Sequence, residues 1–391
     1  MKASRTIALV VLCAAVAACS VLAGCASTAP SRGGTASTTY SAESYRKLGL
    51  SPAGVEPWED GMRTSGEKGT YEWWYFDFSL DDGSTLVIAF YTKDPTRPDT
   101  PLSPFVTFKL DMPDGTSIAK VRAGTPGEFA AARDRCEVRQ AGNSASGDLH
   151  DYTVRIRIDD VAADLRLHGT VPPWRPGTGY MLFRKNEEHF FAWLPSVPQG
   201  TLEGTLSVGG KSRAVSGVGY HDHNWGDTSM LNLIHDWYWG RARIGSYSVI
   251  ASYITAADDY GRSVVPVFML ARDGKIIAED ATKVAFGLDG VHTDAYTGKP
   301  VADVIVYDFA DGAEHYRVTF NRETDLVRDR FVDHLPGFER LLARLAGFDG
   351  AYLRFTGPAT VERFVGNEVV ETADQKAAVW ELMYFGHAPK K

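Results

Sequence analysis

Five two-residue turns limit what this chain can fold into. Asp82-Gly83, Asp114-Gly115, Gly209-Gly210, Asp273-Gly274 and Asp311-Gly312 each sit between runs of apolar or β-branched residues. A two-residue hairpin needs positive φ at its centre, which Gly and Asp adopt at least cost. Their recurrence is hard to reconcile with a helical or βαβ protein and predicts an antiparallel all-β chain. The clearest hairpin is Tyr71 to Leu80 followed by Ser84 to Tyr91, in which Trp74, Phe76, Phe78 and Leu80 share one face by period-two alternation. One short helix is expected near the end of the chain. Pro336 suits its first turn, Phe338, Leu341, Leu342 and Leu345 fall on one face, and Gly347 supplies a stop.

Antiparallel sheets of this size close into barrels or stack as sandwiches, because open edges invite aggregation. With 391 residues, 44% of them hydrophobic, the chain can hold two such units in tandem. Their expected spans are residues 51–229 and 230–391. No internal repeat is evident, although both halves open on an aromatic strand. Ahead of them stands a targeting pattern: Lys2 and Arg5, an apolar stretch from Ile7 to Val21, and the lipobox Leu22-Ala23-Gly24-Cys25. Residues 1–24 are therefore read as a lipoprotein signal peptide, and residues 25–50 as a lipidated Cys25 with a flexible Ser/Thr/Pro/Gly linker. The lipid would be the membrane attachment, and the folded part would lie in the cell envelope, outside the cytoplasm. Cys13 and Cys19 leave with the signal, so Cys136 has no partner for an intramolecular disulfide. The net charge of −8 argues against nucleic acid as a partner.

Chemistry is densest in Gly217-Val218-Gly219-Tyr220-His221-Asp222-His223-Asn224-Trp225-Gly226. Extended, this run sends His221, His223 and Trp225 to one side and Tyr220, Asp222 and Asn224 to the other. Further on, His235, Trp237, Trp239 and Arg241 share a face, and the two aromatic faces are expected to meet. A metal is not expected, because Asp222 points away from the histidines and tryptophans suit an organic ligand better. Two readings stay open: an acid/base site in an aromatic, partly dry pocket, and a buried hydrogen-bond network joining two domains. Glu72 either enters the interior as a perturbed acid or ends its strand in water. No Gly-x-Ser-x-Gly elbow, phosphate loop or dinucleotide fingerprint is present, and no cofactor is expected.

Glu72-Trp73-Trp74-Tyr75-Phe76, the Gly217 to Gly226 run, Trp237-Tyr238-Trp239-Gly240-Arg241 and Met383-Tyr384-Phe385-Gly386 occur in that order. Together they resemble the AttH-like family, which includes carotenoid 1,2-hydratases (hydroxyneurosporene synthases) and lipocalin-like Diels-Alderases. The resemblance implies two lipocalin-like β-barrel or sandwich domains with a hydrophobic ligand at their junction. It implies His223 and Tyr253 as catalytic candidates and Trp225, Trp237 and Trp239 as ligand contacts; the residue pattern itself adds His221 and Asp222 as catalytic candidates and Arg241, Trp74 and Asn224 as ligand contacts. His223 and Trp225 match the hydratases' His-x-Trp pair. Tyr253 matches the first half of their Tyr-x-Asp pair, but Thr255 stands where the acid would be, and a threonine hydroxyl cannot protonate carbon. The expected function is binding of a terpenoid, polyene, polyketide or lipid-like molecule with hydratase- or isomerase-type activity; the alternative is a non-catalytic lipid carrier or envelope protein.

Overall fold

The computed structural model describes residues 34–334 and 348–386. The expected signal peptide with Cys25 and the expected helix over 336–347 lie outside the described residues. What is described is antiparallel throughout, gathered into a 13-stranded sheet from Thr35 to Gly226, a 10-stranded sheet from Ile234 to Tyr384, and a two-stranded ribbon of His292–Thr293 with Pro300–Val301. Eight strands frame the site: β1 (Tyr71–Leu80), β2 (Thr85–Tyr91), β3 (Glu188–Val208), β4 (Lys211–Gly226), β5 (Ile234–Ile244), β6 (Tyr247–Ala256), β7 (Ala351–Val365) and β8 (Glu368–Tyr384).

All five expected turns connect successive paired strands. Gly209 and Gly210 take φ of 56° and 77°, and Asp273 and Gly274 take 50° and 75°, so both central residues of these turns lie in the left-handed region that a matched hairpin twist requires. The fold also reaches back further than composition suggests. Thr35–Thr38 pairs with Tyr180–Arg184, and Ala42–Leu48 forms a helix capped by Ser41 and ended by Gly49 at φ 70°. Backbone pairing and capping, which need no apolar periodicity, order this stretch of the expected linker. A second short helix, Met230–Leu233, joins the sheets.

The two sheets repeat one strand order, β2-β1-β4-β3 in the first and β6-β5-β8-β7 in the second. Each curls around its own apolar interior. Trp74, Phe76, Phe78, Ile88 and Phe108 belong to the first interior, and Phe268, Tyr307, Phe320, Phe355 and Trp380 to the second. A third apolar cluster lies between the sheets and takes Tyr71, Phe191, Trp193 and Tyr220 from one and Trp239, Ile250, Ile254 and Met383 from the other. β1 and β4 are therefore covered on both faces, by an interior on one side and by the other sheet on the opposite side.

Candidate functional site

Strand β4 runs against β1 without a break in register, from Gly217 opposite Leu80 to Gly226 opposite Tyr71. The expected alternation follows. His221 and His223 turn into the first interior, stacked on Phe76 and Trp74 with ring centroids 4.0 and 4.7 Å apart. Asp222 and Asn224 turn the other way, into a cavity of about 500 Å³ between the sheets.

Aromatic side chains dominate the walls of this cavity. The first sheet contributes Trp73, Tyr75, Phe191 and Trp193; the second contributes Trp237, Trp239, Tyr352 and Phe385. Among them stand two acids. Asp222 accepts hydrogen bonds from Tyr220 Oη (2.7 Å), Trp193 Nε1 (2.9 Å) and Asn224 Nδ2 (2.6 Å). Burial outweighs these donors and pushes its pKa up to about 6. Glu381 on β8 accepts from Tyr352 Oη (2.6 Å) and Trp237 Nε1 (3.3 Å), and burial raises its pKa against the pull of Arg354. Each carboxyl is held by one tyrosine and one tryptophan. Their registers match as well: Asp222 lies opposite Tyr75 of β1, and Glu381 opposite Trp239 of β5, the equivalent strand in the other sheet. An acid held partly neutral at the edge of an apolar, aromatic chamber can donate a proton or hydrogen bond to a bound molecule, and the ring faces stabilise developing positive charge.

The sheets are tied together beside this cavity by a buried ion cluster. Asp77 of β1 faces Arg241 of β5 (Nη2 to Oδ1, 3.1 Å) and Arg354 of β7 (Nη2 to Oδ2, 3.3 Å). The two guanidinium groups hold the Asp77 carboxyl below its usual range despite full burial. Arg241 also lies over the Tyr220 ring at 5.6 Å.

The structure sorts the residues singled out in the sequence into three places. Asp222, Asn224, Trp237 and Trp239 line the cavity. Arg241 is engaged by Asp77 beside it. His221, His223 and Trp74 belong to the first interior, where His223 meets Glu72 and His221 meets Asp60, so their network lies within one sheet and not between two. Trp225 donates to Tyr180 Oη (3.2 Å) in a small separate cluster. Tyr253 stacks on Phe286 at 4.1 Å in the second interior, and Thr255 donates to Asp236 (3.3 Å). His235 packs against Tyr384 with ring centroids 4.8 Å apart, whereas His221 and His223 stack on Phe76 and Trp74 in the first interior, so the histidines of the two runs have different neighbours. Glu72 is the buried acid of its two alternatives, taking hydrogen bonds from the Arg63 and Thr64 amides and the Thr64 hydroxyl. Sequence reasoning missed Trp73, Tyr75, Tyr352 and Glu381. Aromatic residues on both faces of β1 were the available sign that neither face meets water.

Residues 34–335 match the family described as Diels-Alderase-like. The chain belongs to that Diels-Alderase-like family. Among curated proteins it is 26% identical over 316 residues to the quinolone epoxide rearrangement protein asqO of Emericella nidulans, covering 75% of this chain and 83% of that one. It is 29% identical over 206 residues to the hydroxyneurosporene dehydrogenase of Chlorobaculum tepidum, covering 44% of this chain and 53% of that one. Its fold resembles CghA (TM-score 0.57, 14% identity, 83% of this chain and 90% of that one). It also resembles kievitone hydratase from Nectria haematococca (TM-score 0.52, 14% identity, 90% and 98%). A Diels-Alderase-like chain with these neighbours has the lipocalin-like all-β fold that the turns and the tryptophan motifs predict.

Proposed function

We propose that this Diels-Alderase-like protein binds an apolar, unsaturated or ring-bearing small molecule between its sheets and promotes a lyase- or isomerase-type rearrangement of it, with Asp222 as the acid. The observation that carries the reading is a carboxyl group with its pKa near 6 facing an aromatic cavity of about 500 Å³. That volume suits a drug-sized ligand, and mostly apolar walls with a few placed polar groups are what such sites use. The relatives' names, an epoxide rearrangement protein and a hydroxyneurosporene enzyme, fit acid-assisted chemistry on unsaturated or strained substrates.

The test measures binding and turnover separately. An apolar polyene or polyketide should quench tryptophan fluorescence, and Trp237→Ala should weaken its binding by about 1–3 kcal/mol by removing one ring from the wall. Asp222→Asn should retain binding and abolish turnover, since an amide keeps a hydrogen-bonding group but cannot give up a proton. A second reading, a non-catalytic carrier, draws on the fact that both Asp222 oxygens are already hydrogen-bonded within the wall. Binding without turnover in the wild type, across candidate substrates, selects it.

The lipobox extends the proposal to location: the protein is anchored outside the cytoplasm through Cys25. Cys25→Ala should then move it from the membrane to the soluble fraction and remove labelling by a radioactive fatty acid. A variant that stays with membranes, or an unlabelled wild type, counts against the anchor.

A further inference from the structure

The buried cluster on the far face of β4 is assembled like a metal site. Its donors come from three distant parts of the chain: Asp60 at the end of a short 3-10 turn, Cys136 at the start of a strand, and His221 on β4. Their ligand atoms all lie within 4.8 Å of one another, and the three residues are at most 1% exposed. His223 stands beside this group and outside it: its Nδ1 lies 3.6 Å from Asp60 Oδ1, and neither atom has a hydrogen-bond partner.

The outer contacts orient both imidazoles toward the cluster. His221 Nδ1 donates to the Tyr75 carbonyl (2.9 Å), which turns Nε2 toward Asp60 Oδ2 at 3.2 Å. His223 Nε2 donates to Glu72 (2.7 Å), a carboxylate already taking two amide protons and a hydroxyl, which turns Nδ1 toward the cluster. Carboxylate–histidine and carbonyl–histidine pairs of this kind orient ligands in metal sites. Trp74 Nε1 donates to the Asp60 carbonyl (3.0 Å) and Tyr152 donates to its carboxylate, so the turn carrying Asp60 is pinned.

We propose that Asp60, Cys136 and His221 bind one divalent transition-metal ion of the zinc class, with His223 drawn in as the fourth donor. A thiolate and two imidazoles exclude magnesium and calcium, which take oxygen donors. The Cys136 thiolate and the Asp60 carboxylate together match the charge of the ion, and Glu72 stays outside, paired with His223. The thiol proton and any proton on His221 Nε2 pass to solvent as the metal binds. Such an ion staples residues 60 and 136 to the back of the strand whose other face carries Asp222. The competing arrangement has Asp60 paired with a charged His221 and Cys136 left as a thiol.

Because the site is closed to solvent, the ion enters as the chain folds. The test therefore refolds the full chain from denaturant, under reductant, with cobalt(II), with zinc(II) or with a chelator, and removes free metal afterwards. Expected are about one equivalent of retained metal, a thiolate-to-cobalt charge-transfer band, and a higher melting temperature with zinc than with chelator. Cys136→Ser should lose the band. His223→Gln should keep the band and bind cobalt at least roughly tenfold more weakly. Wild-type protein that retains no cobalt, shows no thiolate band and melts alike in zinc and chelator overturns the site, whether or not either variant folds.

Discussion

Replacing Asp77 with alanine should lower stability by about 3–5 kcal/mol, because it strands two buried guanidinium groups without their counter-charge. Asp77, Arg241 and Arg354 are all at least nine-tenths buried, and the pairing crosses from the first sheet to the second. The loss should appear in denaturant unfolding as an early transition in which the sheets separate before either melts. Compensation gives the diagnostic result. Asp77→Leu combined with Arg241→Met and Arg354→Met should recover most of the loss, since apolar residues of similar volume replace a buried ion cluster at little cost. If Asp77→Ala unfolds within about 0.5 kcal/mol of wild type, the range of ordinary surface changes, the cluster does not hold the sheets together.

The second large effect is a pH dependence. Burial raises the pKa of Asp222 from 3.8 to about 6, so the unfolded chain releases this proton at lower pH than the folded one. Across that window the folded state holds more protons, and stability falls as pH rises. For this group the fall amounts to about 3 kcal/mol, complete above the folded pKa. Other raised acids such as Glu381 titrate in the same range and sense, while Asp77, held low, acts below it in the opposite sense. The informative quantity is therefore the stability of the wild type minus that of Asp222→Asn. It should decline between pH 3.8 and about 6 and level off beyond. A difference that stays flat through the window would mean the carboxyl is not desolvated as the cavity wall implies. Glu381, raised by the same cause, offers an independent replicate on the opposite wall.

Sequence patterns carried the fold further than they carried the site. Glycine-centred turns and period-two alternation are local, and a pair such as Asp273-Gly274 states its geometry in two residues. Alternation also split β4 correctly into a His221/His223 side and an Asp222/Asn224 side. What it could not say is which side faces the cavity, since that distinction normally rests on one face being polar and wet. Here both faces of β1 and β4 are covered, so Trp73 and Trp74 look alike in sequence while lining different compartments. Asp60, Cys136 and Glu381 lie outside the motif runs around His223. Glu381 sits beside Trp239 only through the β5–β8 pairing, and nothing within a few residues of any of the three announces its partner. The shared order of the two sheets escaped notice for a related reason: equivalent positions keep their register but change their chemistry, as Asp77 and Arg241 do.

The unbroken pairing of β1 with β4 has a consequence for how such a chain can vary. Side assignment along a strand is a matter of odd and even positions, so one residue inserted or deleted between Gly217 and Gly226 would trade the contents of two rooms. The imidazoles would enter the ligand chamber, and Asp222 with Asn224 would go to the core. Along the other edge of β4, the pairing with β3 shifts twice, between Leu194 and Val197 and between Val197 and Gly200, while the β1 side stays in step. Length changes can therefore be absorbed in β3, whereas β4 is free to change its letters but not their count.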